Sequence, residues 1–485
     1  MRRLDKGGNV SEPNPYQDVH DLIDRNFDAY LEEIRAFLRQ PGFSHTGEGI
    51  RESATMAMET VRALGTDNAQ LVETDGNPVV FGHLRSKRPD AKTIIFYSLY
   101  DVVPVTPEDW VVPPLAAEII DPELIGEPAH IGKILCARGA INQRGPMMAA
   151  ICALRAMKEA TGDIPVNVIW AWEGEEEIGS PHLGQFIHAK LDDLATAQAV
   201  WAPHTRQDRQ GVLQVYRGAR GKRDVELRLR GGAWGGTPDA KDIWSAYMPV
   251  SDAPMLIMLR ALGSLLDERD HLTLDGADEL LAPYDQHQRA ELKQLREHYD
   301  SEVLRGTIGI TRWKDGKEFA DLIEDYVMKP MMNVVGIVGG YTGPGVYTTL
   351  PMDVTAKIDF RMPPNIRSTE VIPLLRAHLD RRGFTEIEII DGGGYEYVDT
   401  PATDPIFQAG YKACAIHGSD HVSWPARPGV GPTSWFNQPP LSKPISEIGL
   451  GYGSRWHEAN EFVTVDGLRN LMKWTVTYLN EWSSL

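Results

Sequence analysis

Glu173, Glu175, Glu176 and Glu177 crowd together in the stretch WEGEEEIGS, directly behind the apolar run VNVIWAW. Acidic runs usually cover solvated helices or tails, whereas carboxylates at the end of a buried strand stand where open α/β sheets form their sites. Side by side, one carboxylate can hold a cation while its neighbour takes a proton from water. Taken alone, the run reads equally as a site or as an exposed turn closed by Gly-Ser. His457, in SRWHEANEF, offers an imidazole with Asn460 and Glu461 close behind. A lone histidine is usually a core or surface residue, so it acquires chemistry only if the fold brings it to the glutamates. In CARGAINQRGPMMA, Arg138, Gly139 and Gly145 bracket a tight loop opening a helix, an arrangement suited to holding an anion on backbone amides. Asp101 follows another apolar run, TIIFYSLYDVV, with Leu99 two residues before it.

Positioning these groups requires a sheet. TIIFYSLYDVV and VNVIWAWE are short, β-branched and aromatic runs of the kind buried on both faces of a largely parallel sheet, and GPMMAAICALRAMKEA between them has helical texture. Strand, helix, strand is the α/β pattern. Apolar residues at helical spacing from Asp18 to Leu38 predict an amphipathic first helix, and a second is expected over Ser53 to Leu64. Beyond Tyr216 the texture changes. RGARGKRDVELRLRGG predicts an alternating strand, Pro254 to Leu265 a helix, RAELKQLREHYDSEVL a charged helix, VTAKIDFRM a strand, EVIPLLRAHLDRRG a helix and TEIEIIDGGG a strand. The reading is one α/β domain interrupted by another: residues 1–218 and 396–485 form it, and 219–395 are an inserted α+β unit.

At 485 residues the chain exceeds what one core accommodates, consistent with two units. Its net charge of −19 provides no basic face for nucleic acid or an anionic membrane, so neither is expected as a partner. MRRLDKGGNVSEPNPYQDV carries two arginines but no apolar core behind them, and no run is long enough to span a bilayer. Cys136, Cys152 and Cys414 lack Cys-x-x-Cys spacing, which points to buried thiols in a reducing cytoplasm.

LYDVVPVTPEDW, CARGAINQRGP, EGEEEIGS, YRGARG, GGYTGPGVYTTLPMDVTAKIDFRMPPN and HEANEF together resemble, in order and spacing over nearly the whole chain, the M20 family of metallopeptidases and amidohydrolases. The resemblance implies a catalytic domain with a dinuclear zinc, cobalt or manganese site, and an inserted lid domain through which two copies form a homodimer. It makes Glu176 the base and Glu177 and His457 metal ligands. It also exposes departures: the family's first metal histidine falls on Leu99, its bridging aspartate on Asn142 and a further aspartate on His204. One metal, manganese, zinc or cobalt, held by Glu177, His457 and either Asn142 or His204, is the expected cofactor. In the lid, Arg361 matches the arginine that holds a substrate carboxylate and Asn333 a residue near the oxyanion. The histidine that stabilises the oxyanion is replaced by Trp244, in KDIWSAY.

Loss of an oxyanion donor costs about 100- to 1,000-fold in rate, so the expected reaction is hydrolysis of a C–N bond in a small carboxylate-bearing substrate other than a peptide. The resemblance reaches a branch with one metal, nitroanthranilate aminohydrolase, whose aromatic substrate suits a stacking indole at Trp244. Equally, Trp244 can be a core residue of the lid. A dipeptidase or N-acyl-amino-acid deacylase is the alternative enzyme, and a metal-free ligand-binding protein is the alternative from another class.

Overall fold

The structure, a computed structural model, describes residues 15–485. They divide into two units, one running to Tyr216 and completed by Thr400–Ser423 and Trp435–Leu485, the other Arg217–Asp399 with Trp424–Ser434. The sequence reading puts that last stretch in the closing segment of the first domain. It groups instead with the inserted unit, where the Trp424 ring meets Tyr299 edge-on at 4.8 Å.

Of the described residues, six strands make the main sheet of the first unit, in the order Asp67–Val72, Val79–Leu84, Asn167–Glu173, Thr93–Leu99, Ala199–Trp201, Ile445–Ser446. The first three neighbour one another antiparallel and the last four parallel, so the sheet is mixed and the fold α/β. Thr93–Leu99 and Asn167–Glu173 are buried along nearly their whole length, which is why their sequences do not alternate. Phe96 packs against Trp170, Trp172 and Trp201 at ring separations of 5.2, 5.4 and 5.3 Å, and such pairs contribute about 0.5–1.5 kcal/mol each beyond their buried area. Helices Gln17–Arg39, Arg144–Thr161 and Val465–Ser484 close over this core.

A smaller antiparallel sheet aligns Gly453–Ser454, Phe462–Thr464, Ile134–Cys136 and Glu118–Ile120. It matters for what it joins. The hairpin containing His457 is laid beside the strand that feeds the loop 137–143, with Phe462 opposite Cys136.

In the inserted unit, Met331–Val338, Asp353–Met362, Gly221–Arg230 and Glu388–Tyr395 form an antiparallel sheet in that order. Val225, Leu227 and Leu229 alternate toward helices Pro254–Gly263 and Val371–Arg381, and Val354, Ala356, Ile358 and Phe360 do the same from the neighbouring strand. Burying one face of a sheet imposes this period of two. The predicted charged helix is broken at Tyr299 and Asp300 into Gln286–His298 and Ser301–Ile308, because the Asp300 carboxylate accepts a hydrogen bond from the Glu302 amide and starts a new helix.

Candidate metal and catalytic centre

Leu99 and Glu173 are partners in the parallel ladder, so both strands end together and release Asp101 and Glu175–Glu177 at one edge of the sheet. Gly174 makes the turn possible: the Tyr100 ring lies 2.3 Å from where a Cβ would stand. Glu175 is tied down by His182 Nδ1 at 2.9 Å and by the Asn77 amide at 3.0 Å. Asp101 is fully buried and accepts from the Glu177 amide at 3.0 Å. Burial, and then the charge of Glu177, push its carboxyl up to about 7. Leu99, 3% exposed, presents only hydrocarbon.

His457 is reached through the loop 455–461, in which Arg455, His457 and Asn460 all adopt left-handed backbone, with φ 65°, 62° and 61°. Non-glycine residues hold that conformation only where the surroundings impose it. The segment ends at Glu461, which anchors it. Its buried carboxylate accepts from the amides of Gly139, Ile141 and Asn142 at 3.0, 3.0 and 2.8 Å and from Arg138 Nη1 at 2.7 Å. Arg138 also donates to the His457 carbonyl at 3.3 Å. The loop 138–142 thus holds an anion on its amides as the sequence suggests, but the anion is the protein's own Glu461.

The result is a convergence of three side chains. Asn142 Nδ2 lies 2.7 Å from Glu177 Oε1 and 2.8 Å from His457 Nε2, and His457 Nε2 lies 3.1 Å from Glu177 Oε2. The hydrogen bond to Glu177 raises the His457 imidazole above its ordinary value. Glu176, half-buried, adjoins Glu177 at the start of the turn Glu176–Ile178. One residue along each loop, Gln143 Nε2 approaches His204 Nδ1 at 3.1 Å, and the Trp456 ring stacks on His204 at 5.8 Å and 19°. His204 Nδ1 also faces the Ala202 carbonyl at 3.1 Å.

Whether these groups suit a cation follows from their hydrogen bonds. A ring nitrogen has one in-plane lobe, which carries either a proton or a lone pair. Protonated, His457 Nε2 satisfies the Glu177 carboxylate but confronts the Asn142 NH2 group. Bare, it accepts from Asn142 and confronts carboxylate oxygens. Exchanging the amide oxygen and nitrogen only moves the conflict to Glu177 Oε1. The same carboxylate, bare Nε2 and amide oxygen fit one divalent cation without conflict. Leu99 offers no ligand and Asn142 no bridging charge where the resemblance expects them, and among the described residues no three His, Cys, Asp or Glu side chains gather as a metal group.

The inserted unit holds the remaining candidates. Arg361 Nε pairs with Asp359 Oδ2 at 3.1 Å, its Nη1 donates to the Pro428 carbonyl at 3.3 Å, and Asn333 is exposed opposite Asp359 on the adjoining strand. Trp244 is 59% exposed and meets Tyr247 edge-on at 5.7 Å. It is not a core residue of the lid.

The model of peptidase family M20/M25/M40 matches residues 95–481. The chain belongs to this family. It is 25% identical to the Cys-Gly metallodipeptidase DUG1 of Saccharomyces cerevisiae over 423 residues, 84% of this chain and 82% of that protein. It is 25% identical to the human Beta-Ala-His dipeptidase over 409 residues, 77% and 74% of the two chains. An M20 family metallo-carboxypeptidase, Sso-CP2, from Sulfolobus solfataricus superposes with a TM-score of 0.81 at 30% identity, covering 94% of this chain and 99% of that one. Family membership makes the protein a hydrolase of the M20 class, whose metallopeptidases bind divalent metals. The relatives are dipeptidases, which favours the peptide alternative over the expected non-peptide substrate. No helix among the described residues is long and apolar enough to cross a membrane.

Sequence reasoning missed the role of Glu461 and Arg138. The signal was present as an arginine heading an amide-rich loop and an acid behind His457, but nothing in the spacing says that these two segments lie side by side.

Proposed function

We propose that the protein is a metal-dependent dipeptidase or closely related deacylase that hydrolyses a C–N bond in a small carboxylate-bearing substrate with a single divalent cation, manganese, zinc or cobalt. The observation that carries this reading is the convergence of Glu177, His457 and Asn142 beside Glu176, in a chain whose relatives are dipeptidases. When bound, the cation supplies Lewis acidity, polarising the carbonyl and acidifying water. Glu177 and His457 would hold it, with the Asn142 amide oxygen as a third protein ligand. Glu176 takes a proton from water as its oxygen adds to the carbonyl carbon, and delivers that proton to the amine as the C–N bond breaks. Arg361, by its place in the family motif, binds the substrate carboxylate, for which a planar guanidinium is suited. Asn333, by its place in the same family pattern, is assigned to the developing oxyanion. Trp244, lacking an imidazole, contributes one N–H and an exposed ring face, which favours substrates with a flat or apolar side chain.

A homodimer completes the proposal. Met331–Val338 is an open sheet edge, and Val335, Ile337 and Val338 are exposed along it. Such an edge is a template for pairing with a second copy. Val335→Lys is expected to convert a dimer to a monomer in light scattering, and an unchanged mass overturns this part.

The decisive test is a panel of dipeptides and N-acyl amino acids assayed before and after chelation, with manganese, zinc or cobalt restored. Cleavage that chelator abolishes and that Glu176→Gln lacks supports the reading. Turnover of aromatic amines alone returns the non-peptide branch to the front. Ligand binding without turnover, indifferent to Glu176→Gln, makes the protein a binding module.

A further inference from the structure

Asn142 does something in this centre that an aspartate could not. Its NH2 group sits between the two groups best able to hold a cation, 2.7 Å from Glu177 Oε1 and 2.8 Å from His457 Nε2. The residue has no freedom to drift away. Its backbone amide is pinned to Glu461 at 2.8 Å and it is only 8% exposed, so its side chain must meet that pair. A carboxylate here would face Glu177 charge against charge unless a cation intervened. A neutral amide instead lends a hydrogen atom to the place where positive charge is wanted, and the Glu177 carboxylate is solvated without metal.

We propose that Asn142 is a built-in competitor for the cation, a latch whose NH2 occupies the Glu177 carboxylate in the metal-free centre and must be exchanged for its amide oxygen before metal is bound. This rests on the single-cation reading above and adds to it a reversible metal occupancy set by Asn142. Every cation must displace this donor from Glu177, which lowers affinity for all of them alike.

The test is made on the full-length protein stripped by chelator, with Mn2+ and Zn2+ as the probes, read by titration calorimetry and thermal melting. Asn142→Asp is expected to bind the cation at least about 10-fold more tightly, since it removes the competitor and adds a charge. Its metal-free form is expected to melt about 3 °C or more below the wild type and to recover when metal is added. Asn142→Ala removes the competing donor together with the amide oxygen, and is expected to stay within about threefold of the wild-type affinity, the two losses offsetting each other. Equal affinities for the wild type and Asn142→Asp, or a metal-free Asn142→Asp that melts no lower than the wild type, overturn the latch. So does a fall of about 30-fold or more in Asn142→Ala, which would make the amide an ordinary ligand. These results leave the hydrolase reading standing. Absence of binding in the wild type and both variants overturns the latch together with the cation itself.

Discussion

Two flanks meet at Asn142, and they have been treated differently. On one, Glu177 and His457 converge within 3.1 Å and Glu176 stands beside them. On the other, Leu99 closes the strand with hydrocarbon, Gln143 pairs with His204, and Trp456 stacks on the imidazole. The first flank is left with a proton conflict that a cation would remove. The second offers hydrocarbon at Leu99, and its imidazole meets a donor, Gln143 Nε2, and an acceptor, the Ala202 carbonyl, at one nitrogen. The difference lies in the donors: the first flank keeps a carboxylate and an imidazole facing one another, whereas the second has hydrocarbon where the resemblance expects a histidine.

The largest effect that sharpens this comparison belongs to the first flank. Glu176→Gln is expected to lower kcat by about 100- to 10,000-fold, the range for loss of a general base, with cation affinity unchanged. A parallel fall in affinity would make Glu176 a ligand and erase the distinction between it and Glu177.

Next comes the frame that both flanks share. The Arg138–Glu461 pair is buried, with side-chain exposures of 4% and 0%, and removing one partner of such a pair costs about 3–5 kcal/mol. Glu461→Ala should therefore lower the urea midpoint strongly and weaken cation binding as well, because the Asn142 amide and the Arg138 contact to His457 both depend on it. A destabilised variant that retains full cation affinity would show that the first flank is held by its ligands alone.

A milder intervention tries to convert the second flank into a copy of the first. Leu99→His, Asn142→Asp and His204→Asp together restore the donors that the family pattern implies. Calorimetry is expected to move from one cation per chain to two, while Leu99→His alone leaves the count at one. Two cations in the wild type would mean that the second flank holds a cation without those donors.

How far such differences could be seen in the sequence depends on whether the chemistry is local. The α/β order, the inserted unit and the strand ends came from periodicity, because a strand buried on both faces has to be continuous in apolar residues and a half-buried one has to alternate. Leu99 and Asn142 stood out because they occupy named places in a motif. The partner of the 138–142 amides did not, since Glu461 reaches them through a strand pairing between Phe462 and Cys136 that no local pattern announces. Trp244 was equally illegible. An indole within a short strand fits a core or a surface, and only its 59% exposure decides.

A pH-dependent effect lies beneath Leu99. Glu173, its ladder partner, is buried and accepts a hydrogen bond from the Tyr97 hydroxyl at 2.6 Å; burial pushes its carboxyl from 4.5 up to about 8. Because the folded state binds this proton more tightly than the unfolded chain, folding takes up a proton between about pH 4.5 and pH 8. The contribution of Glu173 to stability is therefore greatest on the acid side and declines as pH rises through that window. Glu173→Gln keeps an acceptor for Tyr97 without a proton to lose. Urea unfolding from about pH 5 to about pH 8 should show the variant gaining on the wild type as pH rises, with the two closest at the acid end. Parallel curves would mean that Glu173 is charged in the fold. The second flank would then carry an unbalanced negative charge, which is the condition under which a cation belongs there too.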